Sequence, residues 1–391
     1  MRIRAGARAR ISLIALLLAA LGAGAVLRTA AASTQSAPTP GNYYLALGDS
    51  LAAGVGADGV PADPGCISNR APGYVCLMTR FLRQLNPNLR LDNLGISGAD
   101  SCVLVNGSGA ASTCADPMVH RGEKSQLQQA LALIKAHPGQ VNPISLDIGG
   151  DNLVELLPEA EHNLPAAAQQ IPGLLTAYRS DLDATLSQLH AADPNAEILV
   201  AGQYNPLSGI PSMLLPKGLG SLAQNAIDAL NGIMKQEAPK YGAAYVDVDA
   251  AFRRHPGGAF ELTYLLQSNI TSPNIHPTAA GYRVYAGALA AASGYRPALR
   301  LTVNAARRLP ERSHASVHGH ANVDSAVAIT LKLPGKSHSR QLRTAAGPNG
   351  YAKKFWTGKH LGKGWLRVCE TGLAGHTRCG GKHHFKVSGG P

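Results

Sequence analysis

Tyr43-Tyr44-Leu45-Ala46-Leu47-Gly48-Asp49-Ser50-Leu51 is the stretch from which the fold is read. Tyr43–Leu47 is a short uncharged run, which suits a strand buried on both faces, and Gly48 lets the chain turn tightly at its end. Working outward, other strand-like runs recur at Leu89–Leu94, Ile144–Ile148, Ala196–Ala201 and Ala243–Val248. Between them lie Gly73–Leu85, Ser125–Ala136, Leu174–Ala191 and Leu219–Gln236, and Pro277–Ala292 follows the last run. In the first of these Tyr74, Leu77, Met78, Phe81, Leu82 and Leu85 recur at spacings of three and four, as a helix facing a core requires. Alternating strands and helices predict a five-stranded parallel sheet with helices on both faces. Ligands bind beyond the carboxyl ends of such strands, and Ser50 falls at one of them.

Nucleophilic hydrolysis of an ester needs an activated hydroxyl, a base held in one orientation, and donors facing the developing oxyanion. Ser50 is placed for the first role, although Gly48-Asp49-Ser50-Leu51-Ala52 is not a G-x-S-x-G nucleophile elbow. Six histidines lie in the α/β region. His137 and His190 sit at helix ends, where an imidazole caps exposed carbonyls, and His120, His162 and His255 lie in polar or Gly-rich loops. His276 follows the fifth strand and precedes Pro277, a good first helical residue, which places it at the same sheet edge as Ser50.

Four segments then occur in order: Tyr44-Leu45-Ala46-Leu47-Gly48-Asp49-Ser50-Leu51, Asn93-Leu94-Gly95-Ile96-Ser97-Gly98, Ile148-Gly149-Gly150-Asp151-Asn152, and His276-Pro277-Thr278-Ala279-Ala280-Gly281-Tyr282. Together they resemble the four blocks of the SGNH hydrolase family, also called GDSL esterases and lipases, over roughly residues 43–295. The Ser125-Gln126-Leu127 helix start and His137-Pro138-Gly139-Gln140 add to the likeness with secreted bacterial members. The resemblance implies a flavodoxin-like three-layer α/β/α sandwich. It also implies Ser50 as nucleophile, His276 as general base, and an oxyanion hole made by the Ser50 and Gly98 amides with an Asn side chain of the third block. No metal or organic cofactor is implied.

Two positions depart from the family pattern. The third block usually ends Asn-Asp; here it ends Asp151-Asn152, so a carboxylate, which cannot donate a hydrogen bond when ionised, occupies the donor column. The alternatives are a one-residue shift that brings in Asn152, a protonated Asp151, or a lost donor; Asn152 is the expected donor. The acid that orients the base would fall at Pro273 or Asn274, and neither is an acid. A carbonyl oxygen, from Asn274 or from the backbone near Ser272 and Pro273, is expected to fix the His276 tautomer instead. A catalytically weak or inactive protein of the same fold, binding a surface or polysaccharide, is the competing reading.

Gly54-Val55-Gly56-Ala57-Asp58-Gly59 matches G-x-G-x-x-G, but it starts well past the strand and runs into Pro61 and Pro64, so it reads as a loop rather than a dinucleotide site. Substrate choice is expected to lie in loops such as Val103–His120 and Asn205–Lys217.

Residues 1–32 read as an export signal: Arg2, Arg4, Arg8 and Arg10 precede the apolar run Ile11–Leu27, and Ala30–Ala32 offer small residues for cleavage. An uncleaved anchor is the alternative, and a secreted, extracellular location the expectation. A spacer, 33–42, leads to the hydrolase domain, 43–295. From residue 296 helical periodicity stops, and 296–391 carry 17 Lys and Arg against three acids. Short runs at Val327–Leu333, Gln341–Thr344, Ala352–Trp356, Trp365–Cys369 and His384–Val387 predict a small all-β domain, with an immunoglobulin-like sandwich as one form. The +12 net charge thus belongs to the two ends. The mildly acidic middle carries no nucleic-acid footprint, while the basic tail is expected either to hold an anionic cell-surface polymer or simply to aid solubility. The six cysteines fall in sequence-local pairs, expected as disulfides Cys66–Cys76, Cys102–Cys114 and Cys369–Cys379.

Overall fold

A computed structural model describes residues 38–56, 73–107, 114, 124–267 and 274–389. Its first sheet is built from β1 (Tyr43–Gly48), β2 (Arg90–Asn93), β3 (Val141–Asp147), β4 (Ile198–Ala201) and β5 (Ala244–Val246), in the order β2-β1-β3-β4-β5 with every pair parallel. This is the flavodoxin-like order. The connecting helices are α1 (Ser50–Ala53), α2 (Tyr74–Leu82), α3 (Ser101–Asn106), α4 (Gln126–Ala136), α5 (Gly150–Val154), α6 (Leu157–His162), α7 (Leu164–Ala192), α8 (Leu219–Glu237), α9 (Val248–Arg253), α10 (Gly258–Leu262) and α11 (Ala279–Ala292).

Side chains alternate across a strand, and both faces are buried here. Tyr44, Ala46, Leu199 and Ala201 enter one core with α2, α9 and α11, whereas Leu45, Leu47, Ile144 and Val200 enter the other with α3, α4, α7 and α8. The result is the expected three-layer sandwich.

Two sequence expectations for this part need correction. The helix expected over Leu174–Ala191 begins at Leu164, because Pro172-Gly173, a pair that normally ends a helix, is carried inside it. Asn163 caps it by accepting from the Ala166 N–H, Pro165 sits in the first turn where a missing N–H costs nothing, and Leu182, Leu186 and Leu189 bury its second half. The last helix starts at Ala279 with Thr278 as its cap, so Pro277 lies just outside it.

The C-terminal part is all β. One sheet runs β10-β9-β12-β14-β7 with β13 beside β12, and the other β11-β8-β6. Their ranges are β6 (Asn304–Ala305), β7 (Arg308–Pro310), β8 (His314–Gly319), β9 (Ala326–Lys332), β10 (Arg340–Ala345), β11 (Tyr351–Trp356), β12 (Gly362–Thr371), β13 (Thr377–Cys379) and β14 (His383–Ser388). Val317, Ile329, Leu331, Phe355, Val368 and Phe385 fill the space between the sheets. The bond Cys369–Cys379 joins neighbouring strands of one sheet, whereas the immunoglobulin hallmark bridges the two sheets.

Cys102–Cys114 also pairs as expected. Cys76 is disulfide-bonded, and Cys66 lies outside the described residues, as do the signal, most of the spacer, and Ser272 and Pro273. The β part meets the α/β part where Asp324 accepts from Arg80 of α2 and Arg283 of α11. Among the described residues no helix is long and apolar enough to cross a membrane.

The exit of β1 is the tightest constraint on the first sheet. Gly48 has φ 151°, and a Cβ there would lie 2.0 Å from the Asp147 carbonyl oxygen and 3.0 Å from the Ala52 Cβ. Gly48→Ala is therefore expected to destabilise the protein by at least about 3 kcal/mol, measured by urea unfolding; a change under about 0.5 kcal/mol would contradict this turn.

Candidate active site

The turn after β1 is held from three directions. Gln126, fully buried at the start of α4, accepts from the Gly48 N–H at 2.9 Å and donates to the Gly48 carbonyl at 2.8 Å. The Asp49 N–H donates to the Asp147 carbonyl of β3. Asp49 then caps α1, its carboxylate accepting from the Leu51 N–H at 2.9 Å. Ser50 is thus presented at the first position of a helix, at the carboxyl edge of the sheet.

His276 reaches the same edge from the far end of the domain. Tyr204 donates to the Ile275 carbonyl at 2.6 Å and the Tyr264 N–H to the His276 carbonyl at 3.0 Å, which pin the segment on either side of the ring. Nε2 lies 2.9 Å from Ser50 Oγ, and Nδ1 lies 2.9 Å from Asn274 Oδ1. The tautomer follows from a second contact. Asn274 Oδ1 also accepts the backbone N–H of His276 at 3.1 Å, and only an oxygen can do that. The atom facing Nδ1 is therefore an acceptor, so Nδ1 carries the proton and the Nε2 lone pair faces the Ser50 hydroxyl. Burial pushes the His276 pKa below its ordinary value, which keeps the ring neutral at neutral pH.

The third block does not follow the sequence expectation. Asn152 is directed to Ser101, accepting from its N–H and donating to its hydroxyl, both at 3.1 Å. It is Asp151, with Gly150, that lines the cavity containing Ser50 and His276. The shift that would bring in Asn152 does not occur, because α5 starts at Gly150 and turns its second and third residues to different sides. Gly98 is held near the Ser50 turn by its loop, where the Leu94 N–H donates to Ala46 and the Ile96 N–H to Gly48.

Beneath the turn the acids are buried rather than paired with cations. Asp147 is fully buried, and burial pushes its pKa up to about 7, although the Gln203 amide at 2.9 Å and the Tyr285 hydroxyl favour its charged form. Asp49 is raised well above the carboxylate range by burial and then by the charges of Asp147 and Asp151. Protonation of this cluster limits the negative charge under Ser50. Gln126, Gln203, Tyr204 and Asp147 were not singled out for the site from the sequence; Gln126 carried a signal, in Ser125-Gln126-Leu127, without a role attached.

The cavity measures about 750 Å³. Away from the Ser50–His276 edge it is lined mainly by aliphatic side chains, among them Ile171 of α7, Leu222 and Ile227 of α8, and Leu207, Ile210 and Leu215 of the loop before α8, with Ala223 of α8 also facing it. The loop Asn205–Lys217 thus forms a wall of it, while most of Val103–His120 lies outside the described residues. Among the described residues no group of His, Cys, Asp and Glu is arranged to hold a metal ion.

Comparison with known proteins places residues 46–284 on the model of the GDSL-like lipase/acylhydrolase family. Among solved structures, the chain is similar to phospholipase A1 from Streptomyces albidoflavus (24% identity, TM-score 0.46, covering 65% of this chain and 100% of that one). It is also similar to an extracellular lipase from Streptomyces rimosus (21%, 0.47, 64% and 100%) and an acetylxylan esterase from Geobacillus stearothermophilus (18%, 0.38, 64% and 93%). No curated protein matches.

Asp147 makes stability depend on pH. Its folded pKa of about 7 exceeds its unfolded value of about 4, so between these the folded state binds more protons and stability falls as pH rises. Asp147→Asn is expected to flatten that slope in urea unfolding compared at about pH 5 and pH 8; an unchanged slope would place the titration elsewhere.

Proposed function

This chain belongs to the GDSL-like lipase/acylhydrolase family and is a carboxylic ester hydrolase, and on that premise we propose that it works through an acyl-enzyme on Ser50. The carrying observation is the chain of hydrogen bonds from Asn274 Oδ1 to His276 Nδ1 and from His276 Nε2 to Ser50 Oγ, each 2.9 Å. Neutral His276 takes the Ser50 proton as Oγ attacks the ester carbonyl. The resulting imidazolium returns that proton to the leaving alkoxide, and water repeats the sequence to release the acid. Asn274 holds the tautomer with a carbonyl dipole instead of a charge, which stabilises the imidazolium less than an aspartate would.

The amides of Ser50 and Gly98 are the oxyanion donors in this reading. Asp151 beside them opposes the developing negative charge, and a missing donor costs about 10²–10³ in kcat. The enzyme is accordingly slow for its class. The predominantly aliphatic cavity supports an ester whose acyl group is a hydrocarbon chain longer than acetyl. The export signal read at residues 1–32, together with Cys102–Cys114 and Cys369–Cys379, supports secretion into an oxidising compartment.

Two experiments test this reading. Against p-nitrophenyl esters of graded chain length, Ser50→Ala should abolish turnover, and wild-type kcat/KM should rise by up to about fourfold per methylene until the cavity is filled. Ala223→Phe should flatten that rise and leave acetate turnover within about twofold. Equal turnover by Ser50→Ala and wild type would end the serine mechanism. In the second, Asp151→Asn should raise kcat by about tenfold or more by supplying a donor, whereas Asn152→Ala should lower stability by about 1–3 kcal/mol without that gain. An Asp151→Asn enzyme no faster than wild type would remove Asp151 from the oxyanion site.

A further inference from the structure

We infer that the end of the C-terminal β-sandwich farthest from the α/β domain docks on a lipid bilayer bearing anionic headgroups, with Trp356 and Leu361 entering the interface. The strand register defines this end. Asp324, which precedes β9, is bound to Arg80 and Arg283, so the starts of β9 and β11 and the close of β12 face the α/β domain. The close of β9, the start of β10, the close of β11 and the start of β12 lie at the opposite end, where Leu331 pairs with Arg340 and Gly362 with Val387. There the turn 333–339 and the loop 357–361 adjoin each other. Arg340 donates to the Trp356 carbonyl at 3.4 Å, and a Cβ on Gly335 would lie 2.8 Å from His360 Cγ.

The chemistry of this tip is that of an interfacial anchor. Among the described residues four large hydrophobic side chains are exposed, and two of them, Trp356 at 44% and Leu361 at 57%, are here. Around them Lys336, Arg340, Lys359 and Lys363 are exposed. The sandwich has three acids, and they leave these cations largely uncompensated. Asp324 is spent at the other end, and Glu370 is buried and accepts from the Asn322 N–H and the Ser325 hydroxyl. Glu311 alone is near, in the turn that Arg312 ties to the Gly358 carbonyl at 2.7 Å, with Arg312 itself exposed beside it.

A solvated basic surface accounts for the lysines but not for a tryptophan and a leucine held out among them. Tryptophan favours the headgroup level of a bilayer, and each nearby cation adds about 1 kcal/mol of attraction to an anionic surface, or about fivefold in binding. A soluble polyanion would use the cations and leave Leu361 in water, so the pairing favours a bilayer. The inference is independent of the catalytic reading.

The chain has two tryptophans, Trp356 and Trp365. In the full chain carrying Trp365→Phe, fluorescence therefore reports Trp356 alone, whatever the N-terminal segment does. Vesicles of equal parts phosphatidylglycerol and phosphatidylcholine should shift its emission to the blue, and brominated lipid should quench it. Phosphatidylcholine alone should do neither, and salt near 1 M, with a Debye length of about 3 Å, should reverse the shift. Lys359→Gln should weaken vesicle binding about fivefold. In the otherwise native chain, Trp356→Ala with Leu361→Ala, its folding checked by an unchanged circular dichroism spectrum because Trp356 also packs edge-on against His314, should weaken cosedimentation with the same vesicles. No shift with the anionic vesicles would overturn the inference, and so would an equal shift with dextran sulfate, which would assign the tip to a soluble polyanion.

Discussion

Ser50 and His276 stand 226 residues apart in the chain and 2.9 Å apart in space, and the rest of the α/β architecture can be understood from that one hydrogen bond. A parallel sheet puts the carboxyl ends of all its strands on one edge, and because β3 and β4 lie between β1 and β5, the segment that follows β5 through α9 and α10 carries His276 back along that edge to Ser50. What the topology leaves loose is fixed locally. Gln126 grips both polar groups of Gly48, and Asn274 spends a single oxygen on both nitrogens that decide how His276 is turned. These are fixed dipoles, set before substrate arrives, which is the form in which a protein stabilises developing charge at least cost.

The same edge carries a conflict. Asp49, Asp147 and Asp151 gather beneath and beside Ser50; burial favours the neutral forms of Asp49 and Asp147, and the charges of Asp147 and Asp151 add to the effect at Asp49. Asp49 is the structural cap of α1, and Asp147 supplies the carbonyl that accepts the Asp49 N–H, so two of the three are bound into the fold. Asp151 faces the cavity, and in the proposed mechanism it is where rate is lost.

Much of this was legible in the sequence. The five strands and their order follow from alternation and from the resemblance of four ordered segments, and the structure brings together Ser50, His276 and Asn274, one of the two oxygen sources expected beside the ring. The errors share a cause, which is that local pattern does not report phase. Adjacent residues at the start of a helix point about 100° apart. Which of Asp151 and Asn152 faces the cavity therefore depends on where α5 begins, and a shift of one residue reverses the answer. Pro172-Gly173 reads as a stop, yet α7 passes through it because burial of its second half outweighs the lost hydrogen bond. The β8 strand, with its exposed histidines and serine alternating with the small or branched Ala315, Val317 and Gly319, was too polar to stand out. The grip of Gln126 on Gly48 is long-range, and nothing in the helix around it predicts the partner.

The central claim is that Ser50 is the nucleophile, made reactive by its bond to His276. Mass spectrometry after treatment with an alkyl fluorophosphonate tests it most directly, because the reagent marks a serine only where a base and an oxyanion site already act on it. The account predicts one phosphonylated peptide, that containing Ser50, and no adduct in the His276→Ala protein. An unlabelled Ser50, or an adduct that forms as fast without His276, would contradict it.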